Sequence, residues 1–172
     1  YYTDPDIAND PRAKKITTRI ILSHQTGFPN WRGNNADGKL SIEFEPGTKY
    51  QYAGEGYEYL RKALENKFNK TLEQLAGELI FKPLKMNDTR FAWDNKMDST
   101  RFAKWHKEQG GLYKTQKNAT ANGADNLLTT VEDYSKFLVH ILNGAGLSDK
   151  LYNEMVAEQV RINDYKHFGL GW

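Results

Sequence analysis

The apolar residues of three segments recur at helical spacing, and this periodicity constrains the fold more than any other feature of the sequence. The segments cover residues 57–68, 71–80 and 130–142. Each carries apolar side chains on one face and charged or amide side chains on the other, as amphipathic helices do. Strand-like alternation is confined to short stretches such as 41–44. The chain is therefore expected to be mainly α-helical.

Capping residues predict where these helices begin. Thr71 and Gln74 have the spacing of a capping box, and Thr130 precedes Asp133 in a similar arrangement. Ser148 precedes a fourth, shorter helix. We expect at least four helices, three of which start at or near these capping residues.

The first predicted helix carries Leu60, Leu64 and Phe68 on one face. This face is expected to be buried against Leu75 and Leu79 of the second helix, and against Phe137 or Ile141 of the third, because an amphipathic helix needs an apolar partner. The predicted core is therefore a helix–helix interface.

Residues 87–122 show no sustained period and contain the pair Gly110-Gly111. Long segments without regular structure are uncommon in compact domains and are often functional. We expect an irregular lid or a short hairpin that borders a cleft, with Trp105 and Tyr113 as substrate-binding residues. A peripheral insertion without a ligand role fits the sequence equally well.

Charge and composition exclude several classes of function. The 24 Lys and Arg nearly balance the 22 Asp and Glu, which predicts no basic face for nucleic acid. The chain contains no cysteine, and its histidines (24, 106, 140 and 167) lack the spacing of a helical zinc site. We therefore expect no metal and no cofactor. The apolar run 20–22 is far shorter than the ~20 residues of a membrane-spanning helix.

The segment 46–57 is the strongest candidate for a functional site. A Pro-Gly turn leads to Tyr52, which is followed by alanine and Gly54 just before the first amphipathic helix. Small neighbours would leave the phenol accessible at a helix N-terminus. From these residues alone, a Tyr52 buried in the core remains the alternative.

Four segments, in the same order, resemble a family of serine hydrolases that includes class C β-lactamases, penicillin-binding proteins and D-alanyl-D-alanine peptidases and esterases. Residues 16–29 resemble I-T-x-R-x-L-L-S-H-x-S-G-L-P, and residues 46–57 resemble P-G-T-x-x-x-Y-S-N-x-G-Y. Residues 81–89 are similar to I-F-x-P-L-G-M-x-x-T, and residues 126–137 to G-L-x-S-T-x-x-D-L-x-x-F. The ordered set covers most of the chain.

The resemblance implies the α/β sandwich fold of β-lactamases and transpeptidases. Residues 1–172 would supply its central, mostly helical portion. It also implies acyl transfer through a serine ester at three motifs, S-x-x-K, Y-x-N and K-T-G or H-x-G. Tyr52 matches the tyrosine of the second motif, which implies a catalytic acid and base. Gly54 stands at a substrate-binding position where many relatives have asparagine; glycine has no side-chain amide to donate, which favours an esterase or peptidase over efficient β-lactam hydrolysis.

No serine in the sequence is followed by lysine three positions later, so the S-x-x-K motif is absent. Both ends look internal to a longer chain, since the sequence starts without methionine and residues 168–172 resemble the beginning of a strand. We expect the whole protein to hydrolyse a β-lactam, a D-Ala peptide or an ester, and the chain alone to be inactive. The family's substrates usually lie outside the cytoplasm, which implies a periplasmic or secreted protein.

Two alternatives remain open at this stage. One is a non-catalytic homologue that binds cell-wall peptide or a protein partner. The other is a stand-alone helical module, which leaves the Tyr52 segment unexplained.

Overall fold

The helices and strands occupy less than half of the chain in the computed structural model, which describes residues 1–172. The α-helices are α1 (Thr18–Leu22), α2 (Gly54–Phe68), α3 (Leu72–Ala76), α4 (Val131–Leu142) and α5 (Asp149–Val156). An antiparallel pair follows, β1 (Val160–Asn163) and β2 (Lys166–Phe168). Short 3-10 helices cover Pro5–Ile7, Pro11–Lys15, Arg32–Asn34 and Ser99–Arg101. The mainly α-helical expectation is confirmed, and none of the helices is both long and apolar enough to cross a bilayer.

Side-chain caps begin the helices where the sequence predicted them. Thr71 and Gln74 form a complete capping box at α3, and Ser148 accepts a hydrogen bond at the start of α5. At α4, Thr130 accepts the Asp133 amide at 3.1 Å. The Asp133 carboxylate has a different partner, because it accepts the amide of Asp88 at 2.8 Å. This bond ties the start of α4 to the loop that follows α3.

The main core lies beneath the N-terminal half of α2, among loops that precede this helix. Its seven buried residues are Ile7, Ile21, Phe28, Leu40, Ile42, Ala53 and Tyr59. Phe28 is fully buried and its ring lies 5.6 Å from that of Tyr59. Leu60 packs against the edge of this cluster. The core therefore joins α1 and α2 through the loop segments 26–28 and 40–42.

The predicted packing of α2 against α3 is wrong at its far end. Phe68 is 49% exposed and Leu79 is 69% exposed. Helix α2 buries its first turns, from Gly54 to Tyr59, because loop residues supply the apolar partners there. Helix α3 is followed by a π-helical turn, Gly77–Phe81, which buries Phe81 next to the ring of Phe91.

Residues 168–172 were expected to begin a strand, but β2 ends at Phe168. Leu170 then donates its amide to the Met155 carbonyl at 2.9 Å, and Gly171 donates to the Leu22 carbonyl at 3.0 Å. These bonds hold the segment after β2 against both α5 and the end of α1.

Replacing Phe28 with alanine is expected to lower the free energy of unfolding by about 3–5 kcal/mol, because a fully buried ring leaves the core. Phe68→Ala is the matched control, and since its ring is half exposed it should cost about 1 kcal/mol or less. Equilibrium urea denaturation followed by circular dichroism measures both changes. Equal losses would contradict the location of the core.

Candidate active site

Tyr52 lies in the extended segment immediately before α2. Its side chain is 54% exposed, and its hydroxyl makes no hydrogen bond within the chain. The expectation that the phenol lies outside the helical core is confirmed. Its chemical role stays a prediction.

Backbone hydrogen bonds from the segment after α1 hold the segment that carries Tyr52. The Gln51 amide donates to the His24 carbonyl at 2.8 Å, and the Glu43 amide donates to the Gly27 carbonyl at 2.7 Å. Gly27 has a φ of +76°, and a Cβ atom there would lie 2.7 Å from the Phe44 carbonyl oxygen. Only glycine allows this close approach of the two segments.

His24 lies directly beneath Tyr52. Its side chain is 3% exposed, and its Nδ1 accepts the amide of Ala53 at 3.1 Å. The imidazole centroid is 4.5 Å from the Tyr52 ring, 5.0 Å from Tyr57 and 4.9 Å from Phe168. A buried imidazole in an aromatic box therefore forms the floor under the exposed phenol.

This floor is uncharged at neutral pH. Burial lowers the pKa of His24 to about 4, so the imidazole is neutral and Nδ1 can accept a hydrogen bond. Burial also raises the pKa of Tyr57 to about 12, and its hydroxyl donates to the Leu22 carbonyl at 3.2 Å. Neither group carries a charge that would compete with an incoming substrate.

The loop at Asn30 caps the N-terminus of α2. The Gly54 amide donates to the Asn30 side-chain oxygen at 2.9 Å, and the Glu55 amide donates to the Asn30 carbonyl at 3.0 Å. Two amides that a helix leaves unpaired at its start are thereby satisfied from outside the helix. A Cβ atom on Gly54 would lie 2.8 Å from the Trp31 ring. The indole therefore occupies the space that a side chain at position 54 would need.

An ion-pair network anchors the same end of α2. The Arg32 guanidinium bonds the Glu55 carboxylate at 2.9 Å and the Asp4 carboxylate at 2.8 Å. Burial opposes ionisation of Asp4, but hydrogen bonds from Arg32, the Asp6 amide and the Tyr2 hydroxyl hold its pKa below the ordinary value. These charges satisfy one another and are structural.

Two apolar residues near Tyr52 are covered within the chain: Phe28 is fully buried and Trp31 is partly buried. The core residues before α2 already cover Phe28.

Trp105 and Tyr113 line a separate cavity. The Tyr113 amide donates to the Trp105 carbonyl at 2.9 Å, so the predicted short hairpin is present. The cavity measures about 120 Å³, and its lining residues lie between 91 and 128. Trp105 is 64% exposed and Tyr113 is 52% exposed at its rim. Tyr52 and Gly54 do not line this cavity. The structure therefore places Trp105 and Tyr113 at the same cavity, and their contact with substrate stays a prediction.

Sequence reasoning missed His24 and Trp31. From the sequence, His24 was considered only as a zinc ligand, although it stands within the S-H-x-S-G part of the resemblance. Its position in that segment was the available signal. Trp31 lies just outside the same segment, and no pattern indicated its contact with Gly54. The structure contains no group of three or more acidic, histidine or cysteine residues arranged to hold a metal.

Acidification from pH 6.5 to pH 4 is expected to lower the free energy of unfolding by about 3 kcal/mol through His24. Its pKa is about 4 when folded and about 6.5 when unfolded, so the unfolded chain binds the proton first. The stabilisation is complete above pH 6.5 and is lost as the pH falls towards 4. The carboxyl groups of Asp4 and Asp133 have lowered pKa values, so their contribution is lost at lower pH.

Urea denaturation at a series of pH values, with the unaltered chain and with His24→Asn, measures this effect. The loss between pH 6.5 and pH 4 should be much smaller in the variant, which has no imidazole. An equal loss in both would mean that another group titrates in this window.

A family model described as beta-lactamase matches residues 5–172. The penicillin binding protein from Bacillus halodurans superposes with a TM-score of 0.74 at 14% identity, over 94% of this chain and 59% of that one. The D-amino acid amidase from Ochrobactrum anthropi SV3 superposes with a TM-score of 0.69 at 23% identity, over 88% of this chain and 51% of that one. Lovastatin esterase from Penicillium rubens is 26% identical over an alignment of 109 residues, and the match covers 51% of this chain and 27% of the esterase.

The chain spans about half the length of these solved structures and about a quarter of the esterase. The solved structures show that it has the helical part of their fold. The family model matches nearly every residue, including the Tyr52 segment. The resemblance inferred from the four sequence segments is confirmed, and the chain belongs to the β-lactamase family.

Proposed function

We propose that the whole protein is a serine acyl hydrolase and that Tyr52 is its general acid and base. The observation that carries the proposal is the exposed Tyr52 hydroxyl, which has no partner in the chain and stands at the N-terminus of α2. Its position matches the tyrosine of the Y-x-N motif. A side chain that transfers protons must be within reach of a substrate, and an exposed phenol on a rigid floor meets this requirement.

The chemistry requires a serine and a lysine that this sequence does not supply as an S-x-x-K motif. In the proposed reaction, the serine hydroxyl attacks the acyl carbon and its proton passes to the Tyr52 oxygen. Tyr52 then donates a proton to the leaving group, and water releases the acyl group in the second half of the reaction. A phenol with an ordinary pKa of about 10 is a poor base, so a neighbouring ammonium group is needed to favour the phenolate.

Gly54 supports an ester or an amide as the substrate. Position 54 has no side-chain amide to donate, and the Trp31 ring fills the space in which one would lie. A substrate whose binding depends on an amide donor at this position would lose that hydrogen bond. Among the relatives, one is named a D-amino acid amidase and another lovastatin esterase, which agrees with this choice. A β-lactam remains the less favoured substrate.

Trp105 and Tyr113 are proposed to contribute an outer wall that contacts the substrate. Both are exposed aromatic residues at the rim of a cavity, and such residues often contact ligands. The protein is proposed to work in the periplasm or outside the cell, where peptides with D-amino acids occur. The non-catalytic alternative predicts that the whole protein binds such peptides without turnover.

Tyr52→Phe in the whole protein is expected to lower the rate of acylation by about 10²–10⁴-fold, because the ring is kept and only the proton-transferring hydroxyl is lost. Tyr165→Phe is the matched control, since this phenol is 93% exposed and lies in the β1–β2 turn. Stopped-flow kinetics with a p-nitrophenyl ester measures both. Unchanged acylation in the Tyr52 variant would remove this residue from the mechanism.

The chain of 172 residues by itself is expected to show no turnover of a p-nitrophenyl ester and no covalent labelling by a fluorescent penicillin. The reason is that it contains no S-x-x-K serine, and catalysis falls by orders of magnitude without a nucleophile. Labelling is read on a denaturing gel beside the whole protein. A band that survives denaturation would identify a nucleophile that the motif analysis overlooked.

A further inference from the structure

We infer that His24 is the positioning residue of Tyr52: it holds the residues on both sides of this tyrosine and supports its ring from below. The catalytic consequence of this assignment rests on the proposed function. The contacts between His24 and the Tyr52 segment do not depend on the proposed function.

His24 accepts two hydrogen bonds, one from the residue before Tyr52 and one from the residue after it. We call this pair of hydrogen bonds the bracket. The backbone carbonyl of His24 accepts the Gln51 amide at 2.8 Å, and its Nδ1 accepts the Ala53 amide at 3.1 Å. The imidazole and Tyr52 rings are inclined by 32° with their centroids 4.5 Å apart. The backbone before Tyr52, the backbone after it and the Tyr52 ring are therefore all in contact with one residue, His24.

The conformation of His24 is unusual and firmly held. Its φ is +54°, in the left-handed region that few residues other than glycine and asparagine occupy. This turn directs the imidazole back beneath the Tyr52 segment, where Ala53 is 1% exposed. The Ala53 amide has no access to water, so the loss of Nδ1 would leave a buried donor unsatisfied.

The bracket requires a neutral imidazole. The titratable groups that face it are three phenols, Tyr50 and Tyr52 on the preceding segment and Tyr57 on α2, and from β2 it meets the ring of Phe168. Burial raises the pKa of Tyr50 and of Tyr57, so neither of these phenols offers the imidazole a negative charge near neutral pH. Protonation would turn Nδ1 into a donor that faces the Ala53 donor, so the bracket should open at low pH.

Two variants of the whole protein separate the functions of the side chain. His24→Phe keeps a ring beneath Tyr52 and removes the acceptor. His24→Asn tolerates the left-handed backbone and offers an oxygen acceptor on a short side chain. We expect His24→Phe to lower kcat for a p-nitrophenyl ester by about 10–100-fold with KM changed by about twofold or less, as for a misplaced acid or base. His24→Asn should recover most of kcat.

Amide hydrogen exchange gives a readout that does not depend on activity. In His24→Phe the Ala53 amide should lose about 10-fold or more of its protection. The Gln51 amide should keep its protection, because its acceptor is backbone. In the unaltered protein the protection of Ala53 should fall as the pH approaches 4, and this decides the question if His24→Phe does not fold.

The outcomes distinguish the two proposals. If Tyr52→Phe acylates normally while His24→Phe still exposes the Ala53 amide, Tyr52 has no acid–base role and the bracket stands. If Tyr52→Phe is impaired but His24→Phe changes neither kcat nor the Ala53 amide, His24 does not position Tyr52. Protection of Ala53 that stays constant down to pH 4 would equally overturn the assignment.

Discussion

The hydrogen bonds between residues 24–27 and residues 43–53 are the constraint on which the site depends. Neither segment forms a regular strand, so the peptide groups cannot be satisfied by a sheet and must find individual partners. The close approach at Gly27 and the imidazole of His24 supply those partners. As a result, a series of separate hydrogen bonds holds the irregular backbone that carries the exposed tyrosine. The two segments that most clearly resemble the family are therefore one structural unit.

The N-terminus of α2 imposes a second requirement, because the first amides of a helix need acceptors. No side chain of the residue before α2 provides one. The loop at Asn30 does so from outside, and the Arg32–Glu55 ion pair fixes this loop to the helix. Tyr52 thus stands between two anchored elements, with the His24 segment on one side and the Asn30 loop on the other. This arrangement explains why the core lies under the start of α2 and leaves its far end exposed.

Local signals were sufficient to predict the starts of α3, α4 and α5, since a capping side chain acts on amides two or three residues away. The resemblance was sufficient to predict the fold and the exposed Tyr52. The packing of α2 could not be predicted in this way, because the residues that bury one face of it, such as Phe28, are distant in sequence. The same holds for His24, whose function depends on the Ala53 amide 29 residues away. The residues around a single histidine in the sequence do not indicate a hydrogen-bond partner so far along the chain.

Gly54 and Trp31 show how substrate preference can be a property of two residues together. An asparagine at position 54 would place its Cβ atom 2.8 Å from the indole ring, which is closer than real Cβ contacts come. The atoms in the way belong to the far end of the partly buried Trp31 ring, so an asparagine at this position requires the ring to shift. This shift would take place next to the Asn30 cap of α2. An asparagine at position 54 therefore requires either a movement of Trp31 or a smaller residue in its place, so the residue at position 54 depends on the packing around it.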